Sequence, residues 1–269
     1  MRVRIKLIAV CLIFICTASC FAQSQLQAKH ARVQLLFQPA PDGALIGIHF
    51  ILEKGWHIYW INPGDSGQPP TFSWTLPPGA SAGEIQWPRP ERIQTSPSIA
   101  DYGYKDDVVL LVPVRLPEKN LKGQIALEAK WLICREACLT DHAHLALALG
   151  SASLGGQART AQLFARTKTL LPHAWPAAWK VNAESRKDDF VLTIVSKRPL
   201  TRAEFFPLDS GQIENAARQR LTSTSTGAKL VLKKSDLLLK PVPELRGVLV
   251  INNRAYWVRA PLIAQVALK

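Results

Sequence analysis

The stretch from Gln124 to Leu149, QIALEAKWLICREACLTDHAHLALAL, decides the fold. Apolar and polar residues alternate before Cys134, and the alternation resumes after Cys138. A period of two residues is typical of a β-strand with one buried face. The three residues between the cysteines suit a tight turn between two strands. The stretch therefore predicts a β-hairpin that carries a pair of cysteines at its turn.

Short β-rich segments separated by Pro and Gly turns dominate the remainder of the chain. They are Ala31–Phe37, Ala44–Leu52, Val108–Leu116, Phe190–Ser196, Lys229–Lys233, Gly247–Ile251 and Ala255–Ala260. The Pro- and Gly-rich residues from Asn62 to Pro97 predict long ordered loops rather than helix. One helix is predicted from Ala158 to Leu171, where Pro172 stops it.

These segments predict an all-β protein with two β-sandwich domains. The first domain is expected at residues 23–150 and carries the cysteine pair. A linker with the short helix follows at residues 151–178, because the composition becomes small and flexible after Gly150. The second sandwich is expected at residues 179–269, with Asn252-Asn253 as a hairpin turn between its last two strands.

The first 22 residues have the features of an export signal peptide. A basic start precedes an apolar run from Leu7 to Ile15, and Cys20-Phe21-Ala22 fits a signal peptidase site. An uncleaved membrane anchor is one alternative, although the apolar run is far shorter than the ~20 residues of a spanning helix. A lipoprotein attached through Cys20 is another. We therefore expect an exported chain that is membrane-proximal at most.

The formal net charge of +13 limits the possible partners. The Lys and Arg residues are scattered, without a run of five or more and without interleaved aromatic residues. This pattern is typical of a solubilising surface with some affinity for anionic lipid headgroups. We expect no nucleic-acid partner for an exported chain of this kind.

Cys134 and Cys138 are the two cysteines, of five, that lie beyond the predicted signal peptide. An oxidising compartment lets them pair. A disulfide that closes so short a loop adds little entropic stability, so redox chemistry explains the pair better than structural stapling, which stays as an alternative. The spacing is not that of thioredoxin, whose two cysteines begin a helix. We expect a pair that reacts when a partner docks, with Cys138 as the attacking sulfur and no cofactor.

The same hairpin offers a metal site as a rival hypothesis. Cys134, Cys138, His142 and His144 form a C-x3-C-x3-H-x-H cluster, and such thiolates and imidazoles suit zinc or cuprous copper. The two histidines share a strand face, but the turn would have to present both sulfurs to that face. A copper- or zinc-binding module therefore remains the alternative function.

Hydrolytic chemistry has little support in the sequence. Asp65-Ser66 lies in a turn without an evident base, and His57 beside Trp56 is expected to be a packing residue. Asp101 is expected to be a solvated turn charge.

Several stretches resemble a known family. The amino-terminal periplasmic domain of the thiol:disulfide interchange protein DsbD, especially its ScsB-like branch, is similar at Gly55–Gly67 (GWHIYWINPGDSG), Ile85–Pro88, Tyr102–Tyr104 and Trp131–Leu139. The companion β domain of that branch is similar at Glu204–Pro207 and Ala255–Val258. The resemblance implies immunoglobulin-like sandwiches in which Cys134 and Cys138 are the exchanging pair. It also implies that Ser98–Tyr104 is a cap loop over the cysteines, with Tyr102 and Tyr104 as lid candidates.

The resemblance further implies a periplasmic protein-disulfide reductase component. Family members continue into a membrane domain and a thioredoxin-like domain, whereas this chain ends at Lys269. A separate transmembrane thiol reductase is therefore the expected electron donor. Oxidised periplasmic thioredoxin-like proteins or cytochrome c maturation proteins are the expected acceptors.

Overall fold

The computed structural model describes residues 23–117, 123–149 and 157–263. The predicted signal peptide with Cys20, and residues 151–156 of the predicted linker, lie outside the described residues. Within those ranges the chain forms strands and a single helix. None of the described residues belongs to a helix with the length and apolar character needed to span a membrane.

Eleven strands of the described chain build the amino-terminal half. They are β1 (Gln25–Ala28), β2 (Ala31–Ala40), β3 (Gly43–Leu52), β4 (His57–Gly64), β5 (Thr71–Thr75), β6 (Ser81–Ala82), β7 (Glu91–Ser96), β8 (Ile99–Lys105), β9 (Asp107–Arg115), β10 (Gln124–Cys134) and β11 (Cys138–Ala148). The first sheet has the order β1-β2-β3-β9-β6. The second sheet has the order β11-β10-β4-β8-β7, and β5 pairs with part of β10.

The two sheets enclose one core because alternate residues of their strands are apolar. In β3, Ile46, Ile48 and Phe50 are fully buried, and Ile125 and Ile133 of β10 are buried in the same core. Such alternation places one face of each strand on the partner sheet and the other face outward. The sandwich predicted from the sequence is therefore confirmed.

The stretch predicted as loops contains three short strands, β5 to β7, between its turns. They are only two to six residues long. Prolines flank them at positions 69, 70, 77, 78, 88, 90 and 97, and a proline cannot donate to a strand ladder. Turn chemistry therefore shortens these strands but does not exclude them.

Helix α1 (Gln157–Leu170) covers the outer face of the first sheet. Phe164 is 1% exposed and packs with Val109 and Leu111 of β9. Gly47 of β3 makes the close approach possible, because a Cβ there would lie 2.5 Å from the Phe164 ring. The predicted single helix is confirmed, and it is an integral layer on the sandwich.

Seven strands form one sheet in the carboxy-terminal half. They are β12 (Lys180–Ser185), β13 (Asp189–Val195), β14 (Ala203–Pro207), β15 (Arg220–Thr224), β16 (Gly227–Lys233), β17 (Glu244–Ile251) and β18 (Arg254–Ile263), in the order β14-β17-β18-β12-β13-β16-β15. The sheet curls around a second core, and Gln219 beside β15 bonds both backbone groups of Phe205 in β14. Asn252 and Asn253 make the predicted hairpin turn with φ of 45° and 74°.

The two halves share part of one apolar core. Phe206, Val248 and Ala255 of the carboxy-terminal sheet belong to the core of the amino-terminal sandwich. The all-β immunoglobulin-like class predicted from the sequence is confirmed. The division into residues 23–150, 151–178 and 179–269 stays a prediction, since apolar packing continues from one half into the other.

Candidate functional site

The cysteine pair lies where the sequence predicts it, at the turn of the β10–β11 hairpin. Cys134 ends β10 and pairs directly with Cys138, the first residue of β11. The two form a disulfide with a Cα–Cα distance of 4.2 Å. The turn residues between them are exposed, so the disulfide sits at the tip of a protruding hairpin.

The two cysteines differ in exposure. Strand alternation directs Ile133 and Trp131 into the core, so Cys134 lies on the outer face of the second sheet with Leu132. Cys134 is nevertheless only 2% exposed, whereas Cys138 is exposed. Neighbouring residues on that outer face therefore cover Cys134 and leave Cys138 exposed.

Tyr59 of β4 covers the buried sulfur. Its hydroxyl lies 2.9 Å from Sγ of Cys134 and 3.5 Å from Sγ of Cys138. Tyr59 is fully buried, and burial raises its pKa, an effect that a hydrogen bond with the Ser66 side chain opposes. The phenol therefore keeps its proton and can donate a hydrogen bond to a sulfur atom.

A buried histidine and carboxylate lie behind Tyr59. The His57 ring meets the Tyr59 ring edge-on, with centroids 5.2 Å apart. His57 Nε2 is 3.6 Å from Asp101 Oδ2, and it has no hydrogen-bond partner. His57 and Asp101 are 3% and 1% exposed. The expectation that Asp101 is solvated is wrong, because Ser66 donates its N–H and O–H to that carboxylate beneath the loop after β4.

The loop at the end of β4 packs tightly onto Tyr59. Gly67 has φ of +76°, and a Cβ there would lie 2.1 Å from Tyr59 Cζ. Gly64 has φ of +90°, and a Cβ there would lie 2.5 Å from the carbonyl oxygen of Ala100 and 2.8 Å from Asp101 Cα. Both positions need the left-handed backbone and the absent side chain of glycine. We name residues 62–67 the motif loop, because this Asn-Pro-Gly-Asp-Ser-Gly segment also carries the resemblance.

An aromatic stack forms the rim beside the disulfide. The Arg135 guanidinium lies 5.3 Å from the Trp56 ring centroid. The His30 ring stacks on Trp56 at 3.9 Å, nearly parallel at 7°. Arg135 also lies 3.8 Å from Glu136, but this pair is exposed and contributes little. The hairpin turn is thus held on an aromatic platform.

Tyr102 and Tyr104, the lid candidates, lie in β8 with their side chains in the core. The Tyr102 hydroxyl donates to Asn215 Oδ1 at 2.8 Å, and the Tyr104 hydroxyl donates to the carbonyl oxygen of Pro88 at 2.8 Å. Tyr104 is paired with Ile58 of β4, whereas Tyr59 points to the opposite face. The structure thus places Tyr59, which the sequence did not single out, against the sulfurs. The lid role of Tyr102 and Tyr104 stays a prediction.

The histidines of the metal hypothesis share the outer face of β11. His142 and His144 are exposed, with ring centroids 5.7 Å apart, and both cysteine sulfurs are joined in the disulfide. The described residues contain no group of three or more His, Cys, Asp or Glu side chains placed to hold a metal ion. The arrangement at the hairpin is suited instead to sulfur exchange.

Comparison with known proteins agrees with this geometry. Residues 22–149 match the family described as "Thiol:disulfide interchange protein DsbD, N-terminal". The crystal structure of the N-terminal periplasmic domain of ScsB from Proteus mirabilis has a similar fold, with a TM-score of 0.70 at 17% identity over 89% of this chain and 97% of that chain. No curated protein matches the chain. The resemblance is confirmed: residues 22–149 match the model of the DsbD amino-terminal domain, and this region carries the Cys134–Cys138 disulfide.

Proposed function

We propose that this chain relays electrons between proteins of the periplasm through the Cys134/Cys138 pair. The proposal rests mainly on the unequal exposure of the two cysteine residues. Thiol–disulfide exchange needs one sulfur that meets the partner and a second that resolves the mixed disulfide. Cys138 is exposed and suits the first role, and Cys134, 2% exposed beside Tyr59, suits the second.

In the forward reaction the reduced pair gives two electrons to an oxidised partner. The Cys138 thiolate attacks a sulfur of the partner disulfide, forms a mixed disulfide and releases one partner thiolate. The Cys134 thiolate then attacks Cys138 Sγ, closes the Cys134–Cys138 disulfide and releases the second partner thiolate. The protons of the two cysteine thiols pass to solvent or to the leaving partner thiolates, so the exchange is balanced.

Reduction of the Cys134–Cys138 disulfide by a donor runs in the opposite direction and gives Tyr59 a role. A donor thiolate attacks Cys138 Sγ, and Cys134 leaves as a thiolate. The second donor thiolate then attacks the donor sulfur of the mixed disulfide, closes the donor disulfide and releases Cys138 as a thiolate. The Tyr59 hydroxyl, 2.9 Å from Cys134 Sγ, donates a hydrogen bond to the new charge. Leaving-group stabilisation speeds exchange, so the proposed role of Tyr59 is to make Cys134 the better leaving sulfur.

We assign the donor to a transmembrane thiol reductase. We assign the acceptors to oxidised periplasmic thioredoxin-like or cytochrome c maturation proteins. The match of residues 22–149 to the DsbD amino-terminal family supports thiol–disulfide redox proteins as partners. The similarity in fold to the periplasmic domain of ScsB supports a periplasmic location. The hairpin position of the cysteines also favours protein partners, because no helix N-terminus is there to acidify either thiol.

Trapping with single-cysteine variants in the native host tests the relay. Cys134→Ser leaves the exposed Cys138, which should form mixed disulfides that cannot be resolved. Cys138→Ser leaves the buried Cys134, which should capture far less protein. The double variant is the control for disulfides formed after lysis. Identification of thiol–disulfide redox proteins in the Cys134→Ser complexes supports the relay, and the absence of complexes from both single variants contradicts it.

A further inference from the structure

The carboxy-terminal half contacts the surroundings of the disulfide through Asn215. This residue is 6% exposed, and both ends of its carboxamide bind the amino-terminal half. Its Nδ2 donates to Asp65 Oδ1 at 2.8 Å, and its Oδ1 accepts from the Tyr102 hydroxyl at 2.8 Å. The orientation of the carboxamide is therefore fixed by one acceptor and one donor.

Asp65 connects Asn215 to the residues that cover the disulfide. The second oxygen of Asp65 accepts from the Ala100 backbone N–H at 2.8 Å. The next residue, Ser66, donates to Asp101, which faces His57. Gly67 then packs against the Tyr59 ring. A displacement of Asp65 would thus change the packing on Tyr59.

A second contact anchors the beginning of the motif loop to the same half. Asn62 Nδ2 donates to the carbonyl oxygen of Pro207 at 2.8 Å, and Asn62 Oδ1 accepts from Ser210 Oγ at 3.1 Å. The same Oδ1 accepts from the Gly64 backbone N–H at 3.0 Å. The motif loop is therefore held between the disulfide and the carboxy-terminal half.

We propose that Asn215 is a positioning residue for the redox site. It holds the motif loop so that Gly67 keeps Tyr59 in place over Cys134 and Ser66 keeps Asp101 in place beside His57. Asn215 does not contact the disulfide. Through Asn215, the carboxy-terminal half therefore controls the rate of disulfide exchange indirectly. This inference rests on the proposed function, since it concerns control of the same cysteine pair.

Three variants separate positioning from simple attachment of the two halves. Asn215→Ala removes both hydrogen bonds and leaves the buried Tyr102 hydroxyl unpaired. Asn215→Asp keeps the size and shape of the side chain but places a second carboxylate beside Asp65, where the amide donor is lost. Arg89→Ala is the matched control, because Arg89 Nη2 bonds Asn253 Oδ1 at 2.7 Å between the halves, away from the motif loop.

The test measures how fast excess dithiothreitol reduces the disulfide of each purified variant, followed by quenched alkylation and mass spectrometry. The dependence of this rate on pH and the equilibrium with glutathione are measured as well, and thermal unfolding establishes that each variant is folded. We expect Asn215→Ala to be reduced roughly three- to tenfold more slowly than the wild type, because a displaced Tyr59 loses part of its hydrogen bond to the departing Cys134 sulfur. The reduction rate of Asn215→Asp should decrease by a larger factor, and the reduction rate of Arg89→Ala should equal that of the wild type.

Equal rates for Asn215→Ala and Arg89→Ala, with both proteins folded, would overturn the positioning role. If both variants of Asn215 unfold, Asn62→Ala tests the same loop from its other anchor, and a wild-type rate in that folded variant would also overturn the proposal. Failure of the positioning role of Asn215 can be distinguished from failure of the proposed relay. The relay fails when the wild-type pair exchanges with no protein, whatever the rate with dithiothreitol.

Discussion

The Tyr59 hydroxyl lies 2.9 Å from Cys134 Sγ, although the two residues are 75 positions apart in the chain. They meet because β4 and β10 are neighbours in the second sheet, where Cys134 pairs with His57. The contact places a protonated donor beside the sulfur that leaves as a thiolate in the proposed exchange.

Replacing Tyr59 by Phe should slow reduction of the disulfide by thiols. The variant loses the donor to the Cys134 thiolate, and a hydrogen bond to a charged group contributes about 1.5 kcal/mol, so we expect a decrease of roughly tenfold. The measurement is the rate of reduction by a protein dithiol under pseudo-first-order conditions.

Tyr104→Phe is the matched control for that experiment. It removes the same hydroxyl from a buried tyrosine of the neighbouring strand, but that hydroxyl donates to Pro88. Its reduction rate should equal the wild-type rate. Equal rates for Tyr59→Phe and the wild type would show that the hydroxyl does not assist the leaving sulfur.

Replacing Gly67 by Ala should disturb both stability and the redox site. The added Cβ would lie 2.1 Å from Tyr59 Cζ, and φ is +76°. Gly79→Ala has nearly the same backbone penalty, with φ of +78°, but its Cβ meets only Pro117 at 3.7 Å. A left-handed alanine costs about 1–2 kcal/mol in either place.

We therefore expect Gly67→Ala to lower the free energy of unfolding by more than Gly79→Ala does, and to change the disulfide reduction rate. Chemical denaturation and the alkylation assay measure the two effects. If the two alanine variants are alike in both assays, the motif loop does not hold Tyr59 in place.

Protonation of His49 should weaken the fold at acidic pH. Burial lowers the pKa of His49 below its usual value of 6.5, and the nearby Arg166 and Arg159 lower it further, while Asp107 opposes them. The unfolded chain therefore takes up the proton at a higher pH than the folded chain does. The stability contribution of neutral His49 is present above about pH 6.5. It decreases as the pH falls from there towards the lowered pKa of the folded state.

His49→Gln measures this effect directly. The free energy of unfolding is determined across that pH range for the wild type and the variant. The difference between them should change below the usual histidine pKa, because Gln34 and Asp107 bond the neutral ring under helix α1. A difference that is constant with pH would assign the acid sensitivity to other groups.

Much of the fold is predictable from the sequence because burial on one face imposes a period of two residues. This period identifies β3, β10 and β11, and the turn spacing identifies the pairing of Cys134 with Cys138. The same logic applied to β8 would have directed Tyr102 and Tyr104 to one face and Asp101 to the other.

The remainder of the site depends on strand order, which local sequence does not determine. Nothing near Tyr59 in the chain indicates that β4 lies beside β10. The burial of Asp101 depends on the motif loop folding over β8, and the role of Asn215 depends on how the two halves pack. These are contacts between residues 35 to 150 positions apart, and a single sequence does not reveal them.

Exchange with a reduced dithiol protein shows directly whether the Cys134–Cys138 disulfide is redox-active. The oxidised protein is mixed with a reduced dithiol protein of the thioredoxin type, the exchange is quenched with acid, and free thiols are alkylated and located by mass spectrometry. We predict that Cys134 and Cys138 are converted to free thiols in equal amounts, and that one molecule of the dithiol protein is oxidised for each disulfide reduced. A disulfide that stays intact in excess reduced dithiol protein would contradict the account, because such a bond would be structural.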